Sequence, residues 1–229
     1  MIKKTYVYAI RLIYGFFSIL GIILLLKKFK NNKFTNWVLS LFYIWDIEGL
    51  IYLDCPWWTY SSFNTIDMLL KDKKNITAFE YGSGASTVWL AKRVKQLYSV
   101  EHNKEWYGVV KKHISGYSNI NYKLIEPDKF ISQEYLSIKE QRVSFFNYVH
   151  EINNFNNKFD LIVIDGRARN ACLKVALKNL KKNGIIIFDN CNRKRYQNDL
   201  VKLNNKIEYY HGLTPSLPYP ECTAIIYNK

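Results

Sequence analysis

The 229-residue chain carries 33 Lys and Arg against 19 Asp and Glu, a formal net charge of +14, with 48% hydrophobic and 16% aromatic residues. So much apolar sequence excludes a disordered chain and suits one α/β domain with a modest appendage. The charge points to nucleic acid or an anionic membrane surface, and its distribution favours the membrane. Lys3, Lys4, Arg11, Lys27, Lys28, Lys30 and Lys33 all precede the first acid, Asp46, and flank apolar sequence. The remaining charge is spread thinly, without an RNA-reading aromatic motif or zinc-finger spacing, which argues against nucleic acid as the partner. Cys55, Cys172, Cys191 and Cys222 form no CxxC or metal-like spacing, so free thiols in a reducing compartment are expected.

Residues 1–54 read as the appendage and 55–229 as the body. From Leu12 to Leu26 the chain is uncharged, LIYGFFSILGIILLL. That is short of the roughly 20 residues of a spanning helix unless Tyr6–Ile10 joins it and Arg11 snorkels. NWVLSLFYIWDIEGLIYL (36–53) is aromatic-rich but holds Asp46 and Glu48, as an amphipathic helix lying on a membrane or on the body would. The expectation is a membrane-associated N-terminus, spanning or surface-bound, with the body in the cytoplasm. Buried helices are the alternative for both stretches.

Beyond PWWTY (56–60), strand and helix patterns alternate. Strands are expected at ITAFEY (76–81), QLYSVE (96–101), NINYKLIE (119–126), FDLIVID (159–165), GIIIFDN (184–190), KIEYYH (206–211) and CTAIIY (222–227). Helices are expected at 86–94, 104–114, around 144–152, at 170–182 and near 194–203. The alternation predicts βαβ units in a mainly parallel, doubly wound seven-stranded sheet, closed by a hairpin of the last two strands. Ligands of such sheets sit at the carboxyl ends of the strands. Glu80 to Gly84, Glu101, Asp165, Asp189 and Asn190 all fall at such ends.

FEYGSGASTVWLA (79–91) breaks a strand on Gly82 and Gly84 and restarts as a helix. The turn suits a dinucleotide, S-adenosylmethionine, or simply a tight change of direction. G-x-G-x-x-T lacks the third glycine of the dinucleotide fingerprint. Glu101 lies where an acid can hydrogen-bond ribose hydroxyls of either cofactor. FEYGSG followed one strand later by SVEH resembles the cofactor motifs of class I S-adenosylmethionine-dependent methyltransferases. That resemblance implies Glu80, Gly82 and Gly84 lining the cofactor and Glu101 gripping its ribose. His102, next in the chain, reads as a ring stacked near the adenine, with a surface position or a base as the alternatives. An NAD-dependent oxidoreductase and a membrane-anchored protein that binds cofactor without catalysis are the alternatives.

FDLIVIDGRARN and NGIIIFDNCNR place Asp165 and Asp189-Asn190 on two strand ends about 4.8 Å apart if the strands are neighbours. Two carboxylates and an amide oxygen make a hard oxygen site suited to Mg²⁺. The pair resembles the metal ligands of catechol-type, cation-dependent O-methyltransferases. By that resemblance Asp165, Asp189 and Asn190 would hold a metal that acidifies the acceptor oxygen. Related enzymes carry a lysine base three residues after the first ligand, where this chain has Ala168 between Arg167 and Arg169. A site without metal, in which Asp165 positions the acceptor and Asp189-Asn190 caps a helix, is the alternative. Asp165, Arg167 and His211 are the candidate catalytic residues, His211 because it precedes a Pro-rich loop expected to border the cleft. Arg167, Arg169, Arg193 and Arg195 suggest a small anionic or glycan-type acceptor. Trp57, Trp58 and Tyr60 are candidates for a lid, and Phe145, Phe146 and Tyr148 for an acceptor pocket.

Overall fold

The computed structural model describes residues 2–71, 73, 75–129, 135–137, 140–156 and 158–228. Four helices come first, α1 (Ile2–Ile19), α2 (Ile22–Lys28), α3 (Lys33–Leu41) and α4 (Ile47–Tyr52), then α5 (Tyr60–Lys71). The alternating body runs β1 (Thr77–Tyr81), α6 (Ala85–Ala91), β2 (Gln96–Glu101), α7 (Lys104–Ile114) and β3 (Ile120–Leu124). A small ribbon, β4 (Leu136–Ser137) with β5 (Glu140–Ser144), and α8 (Phe146–His150) precede β6 (Phe159–Ile164) and α9 (Arg169–Asn179). β7 (Leu180–Asp189), α10 (Lys194–Val201), β8 (Lys206–Gly212) and β9 (Glu221–Tyr227) close the chain.

The seven-stranded sheet has the order β3-β2-β1-β6-β7-β9-β8. β3 through β7 pair in parallel; β9 runs antiparallel to both β7 and β8. The strand order reverses between β1 and β6, so the crevice of the fold lies over the carboxyl ends of those two strands. β6 and the second half of β7 are buried on both faces, as parallel strands covered by helices must be. Their apolar runs are why this region reads so clearly as strand. The helix expected to run on to Lys182 ends instead at Asn179, and Leu180 already pairs with Phe159 as β7 begins. Five residues further along β7 the ladder resumes at Leu161–Ile185, an irregularity marked by Asn183 at φ 62°.

The N-terminal helices pack onto the body. Leu39, Tyr43 and Leu53 share a core with Trp58, Trp89 and the sheet residues Leu161 and Ile187, while Ile47 and Leu50 pack with Ala85, Val88 and Val110. Trp37 Nε1 donates to the Leu217 carbonyl at 3.1 Å, and Ser216 bonds Ser40 through its backbone N–H and its hydroxyl. A single spanning helix, one of the two forms expected of this segment, is not formed. Gly21, at φ 72°, breaks the apolar run, and Thr5–Ile19 and Ile22–Lys28 are bent by 86°. Among the described residues no single helix is long and apolar enough to cross a membrane.

The cysteines depart from expectation as well. Cys191 and Cys222 form a disulfide, whereas Cys55 and Cys172 are buried free thiols. Cys191 and Cys222 are 31 residues apart in the chain, and the β7–β9 pairing of Asp189 with Thr223 brings their Cα atoms to 5.5 Å. Spacing in the sequence carries no trace of that pairing.

Candidate functional site

A cleft of about 450 Å³ opens over the switch point. One end is built by the loop after β1. Gly82 sits at φ 90°, and a Cβ there would lie 2.6 Å from the Gly166 Cα, so the glycine loop and the β6–α9 turn can meet only if this residue is glycine. Gly84 is different: its φ of 172° suits any residue, and a Cβ would meet no protein atom within 4 Å. Its bare Cα faces the cleft, which gives a ligand's backbone-close approach a place.

The loop is held from below by two carboxylates with distinct environments. Glu80, fully buried, accepts from Ser86 Oγ at 2.5 Å, Thr87 Oγ1 at 2.7 Å and Ser99 Oγ at 2.6 Å. Burial raises its pKa from 4.5 to about 7 against the pull of those three hydroxyls. Glu101 accepts at Oε1 from the backbone N–H groups of His102 and Asn103, both at 2.8 Å. At Oε2 it accepts from the Ser83 N–H at 3.1 Å and the Ser83 hydroxyl at 3.0 Å. Burial works to raise its pKa, but His102 and the Asn103 and Ser83 amides outweigh it, so the carboxyl lies below its ordinary value. The His102 Nδ1 stands 2.8 Å from Oε1. Trp106 Nε1 closes the frame by donating to the Ser83 carbonyl at 2.9 Å.

The other end is built by the turns after β6 and β7. Asp165, Gly166, Arg167, Arg169, Asn190 and Arg193 line it. Asp189 lies beneath, 3% exposed, accepting from Thr223 Oγ1 at 2.8 Å. Burial raises both Asp165 and Asp189; Arg169 draws Asp165 back down, and Asp165's like charge pushes Asp189 further up. Between the two carboxylates lies the guanidinium of Arg169. Its Nη2 is 2.7 Å from Asp165 Oδ1, and its Nη1 is 3.8 Å from Asp189 Oδ2. Trp45, Asp46, Ile47, Leu50 and Trp57, all N-terminal to the sheet, make the remaining wall.

Residues 79–191 match the model of a family described as a methyltransferase domain. Over those residues the chain is an S-adenosylmethionine-dependent methyltransferase domain. Among solved structures it resembles an O-methyltransferase from Bacillus cereus in complex with SAH, with TM-score 0.59 and 14% identity over 80% of this chain and 90% of that one. An rRNA methylase from Streptococcus thermophilus gives 0.53 and 13% over 72% and 95%. A methyltransferase-like protein from Silicibacter pomeroyi gives 0.51 and 17% over 74% and 87%. At these identities the likeness establishes the fold alone. No curated protein sequence matches the chain.

The methyltransferase brings most of the residues picked from its sequence to one place. Gly82, Gly84, Glu101, His102, Asp165, Arg167 and Asn190 all line the cleft. Glu80 does not: its carboxylate points into the protein and ties the end of β1 to α6 and β2, holding the loop rather than the ligand. His211 does not either. It lies exposed on the edge strand β8, with Nε2 3.6 Å from Cys222 Sγ. The Pro-rich loop that recommended it covers α3 and Trp57 instead, through Leu217, Ser216 and Pro215. Of the proposed lid, only Trp57 reaches the cleft; Trp58 and Tyr60 are core. Phe145 and Tyr148 are core as well, with their rings 5.6 and 6.0 Å from that of His102.

A methyltransferase metal site does not fit these residues. Asp165, Asp189 and Asn190 do stand at adjoining strand ends, as expected, but the guanidinium of Arg169 already lies between the two carboxyl groups. Among the described residues no group of three or more His, Cys, Asp and Glu side chains that could hold a metal ion is found. The wall contributed by Trp45 to Leu50 was missed because the aromatic stretch reads as one continuous amphipathic helix. Asp46 was the available signal: it caps α4, accepting from Gly49 N–H at 3.0 Å, and so marks a break after Trp45.

Proposed function

We propose that this methyltransferase places its cofactor on the Gly82–Gly84 and Glu101 end of the cleft. The acceptor would be a small anionic molecule, phosphorylated or glycan-like, methylated on an oxygen at the other end. The observation that carries this reading is that one cleft joins the glycine loop to Arg167 and Arg193. S-adenosylmethionine, when bound, supplies a sulfonium methyl group open to direct displacement. Glu101 would take the ribose hydroxyls, with Ser83 free to turn its hydroxyl to Tyr122, whose oxygen is already 2.7 Å away. Arg167 and Arg193 would hold the acceptor's anionic group, since arginine stays protonated and binds phosphate or carboxylate in a fork. Trp45 and Trp57 would exclude water from the acceptor side. Alignment of donor and acceptor oxygen is worth about 7–11 kcal/mol when the geometry is ideal.

A membrane surface is the setting this reading favours for the acceptor. α1 packs Tyr14 and Phe17 against Phe42 and leaves Leu12, Phe16 and Ile19 exposed; Leu20 just after it and Leu24 and Leu25 of α2 are exposed as well. Lys27 and Lys28 follow directly in the sequence, a combination suited to anionic lipid headgroups. Flotation with anionic vesicles tests it: Leu24→Ser with Leu25→Ser should leave the protein at the bottom of the gradient.

Calorimetric titration of S-adenosylhomocysteine into the full chain tests the site itself. Glu101→Ala should weaken binding roughly 10–100-fold, the worth of charged hydrogen bonds. Arg193→Ala should leave that affinity unchanged while lowering transfer of labelled methyl groups to anionic acceptors. Equal cofactor affinity in wild type and Glu101→Ala would sink the placement.

A further inference from the structure

Arg169 sits where ordinary sequence rules would not put it. It is the first residue of α9, at the positive end of the helix, where a cation is disfavoured. It is also 7% exposed, and arginine is almost never so buried unless paired. The residue before it, Ala168, is held in the left-handed region at φ 47° and ψ 39°, a conformation that is strained for a residue with a Cβ. These three local costs are accepted together, and together they deliver one guanidinium to one place.

Every arm of that guanidinium is used at the ends of β6 and β7. Nε donates to the Gly166 carbonyl at 3.1 Å, and Nη2 donates to the Asp165 carbonyl and to Asp165 Oδ1, both at 2.7 Å. Nη1 donates to the Asp189 carbonyl and lies near that residue's carboxylate. A magnesium ion shared by the same carboxylates would need their oxygens about 2.0–2.1 Å from its centre, inside the volume the guanidinium fills. We infer that Arg169 is the resident cation of the acceptor end, replacing a divalent ion between Asp165 and Asp189 and fixing Asp165 in place without metal. Its role is positioning: it holds the two strand ends and one cleft carboxylate, and its own donors are spent on the protein. This rests on the methyltransferase reading of the cleft but concerns its acceptor end alone.

The guanidinium, not a shortage of ligands, then excludes the metal. Removing it should create a metal site from Asp165, Asp189 and Asn190. The experiment is titration of the full chain with Mn²⁺, followed by the loss of free-ion electron paramagnetic resonance signal. S-adenosylhomocysteine binding is measured on the same samples. Wild type should take up no stoichiometric Mn²⁺, and its affinity for S-adenosylhomocysteine should not respond to the ion. Arg169→Met should acquire one site per chain, with affinity raised at least about ten-fold over wild type, as expected when ligand charge is freed. That site should vanish again when Asp189→Asn is added. Arg169→Gln keeps donors for the strand-end carbonyls and serves in the same way if the Met variant fails to fold. One Mn²⁺ per wild-type chain, abolished by Asp165→Asn, would overturn the inference. So would folded Arg169 variants that remain unable to bind the ion. Failure of wild type to bind S-adenosylhomocysteine would instead count against the cofactor placement, leaving the metal result to be read separately.

Discussion

The two ends of the cleft are assembled by different physics. At the cofactor end, backbone N–H groups and hydroxyls of the glycine loop, α6 and β2 organise each acid, none more than 19 residues away in the chain: Ser83, His102 and Asn103 around Glu101, Ser86 and Thr87 with Ser99 around Glu80. At the acceptor end, charged groups and one disulfide do the work, and all but the Arg169–Asp165 pair cross 20 to 34 residues of chain. Asp165 and Asp189 are joined by Arg169, Asp189 is bonded by Thr223, and the residue after Asn190 is stapled to β9. A local arrangement leaves a motif in the sequence; a distributed one leaves only residues whose partners are unknown until the sheet is built. The comparison also ranks the sensitivities, with the acceptor end tied to tertiary cross-links and the cofactor end to backbone conformation and protonation.

The largest effect should come from the staple. Cys191–Cys222 closes a loop of 31 residues, for which the loss of chain entropy is worth about 3–4 kcal/mol. Cys222→Ser should lower the denaturation free energy by that amount, and dithiothreitol should do the same to wild type but nothing to the variant. If reductant leaves the wild-type midpoint in place, the acceptor end does not depend on the cross-link.

At the cofactor end the corresponding test is protonation. Glu80 has its folded pKa raised from 4.5 to about 7, so the folded state holds its proton more tightly than the unfolded chain. The stability this contributes is present in full below about pH 4.5 and is lost as pH rises to about 7. Glu80→Gln carries no such charge, so wild type should lose up to about 3 kcal/mol relative to it across that window. Melting curves of both proteins from pH 4 to 8 check this through the pH dependence of their difference in stability; parallel profiles would show that Glu80 does not titrate there.

The sheet was legible almost throughout, because strands buried on both faces write uninterrupted apolar runs such as FDLIVI and GIIIFD. The glycine loop and Glu101 were legible for the same local reason. What was illegible was long-range: the disulfide, the inward turn of Arg169, and the removal of His211 to an edge strand. Arg169 read as one of four arginines suited to an anionic acceptor because nothing in RARNAC announces that Ala168 adopts a left-handed backbone. The N-terminal helices read as a membrane element because apolar residues at helical spacing look alike whether they meet lipid or protein. Tyr14, Phe17 and Leu39 meet protein, whereas Leu12, Phe16 and Leu24 are exposed.

The smallest expected stability change is also the sharpest probe of the cofactor end, because it separates two glycines of one motif. Gly82→Ala combines a left-handed φ with a Cβ 2.6 Å from the backbone of Gly166, so the two loops must part. The strain alone is worth about 1–2 kcal/mol, and the forced separation adds to it. Gly84→Ala meets neither cost, since its backbone is extended and its new methyl touches no protein atom. It should change the unfolding free energy by less than the roughly 0.5 kcal/mol typical of a neutral surface substitution. Yet the methyl group would project into the cleft beside Ser83 and Glu101, where a ligand must come close. Affinity for S-adenosylhomocysteine should therefore fall in Gly84→Ala while stability holds, and calorimetry beside a thermal melt reads both. If Gly84→Ala binds as wild type does, the second glycine is not where the cofactor approaches, and the contact must move to Glu101 and His102.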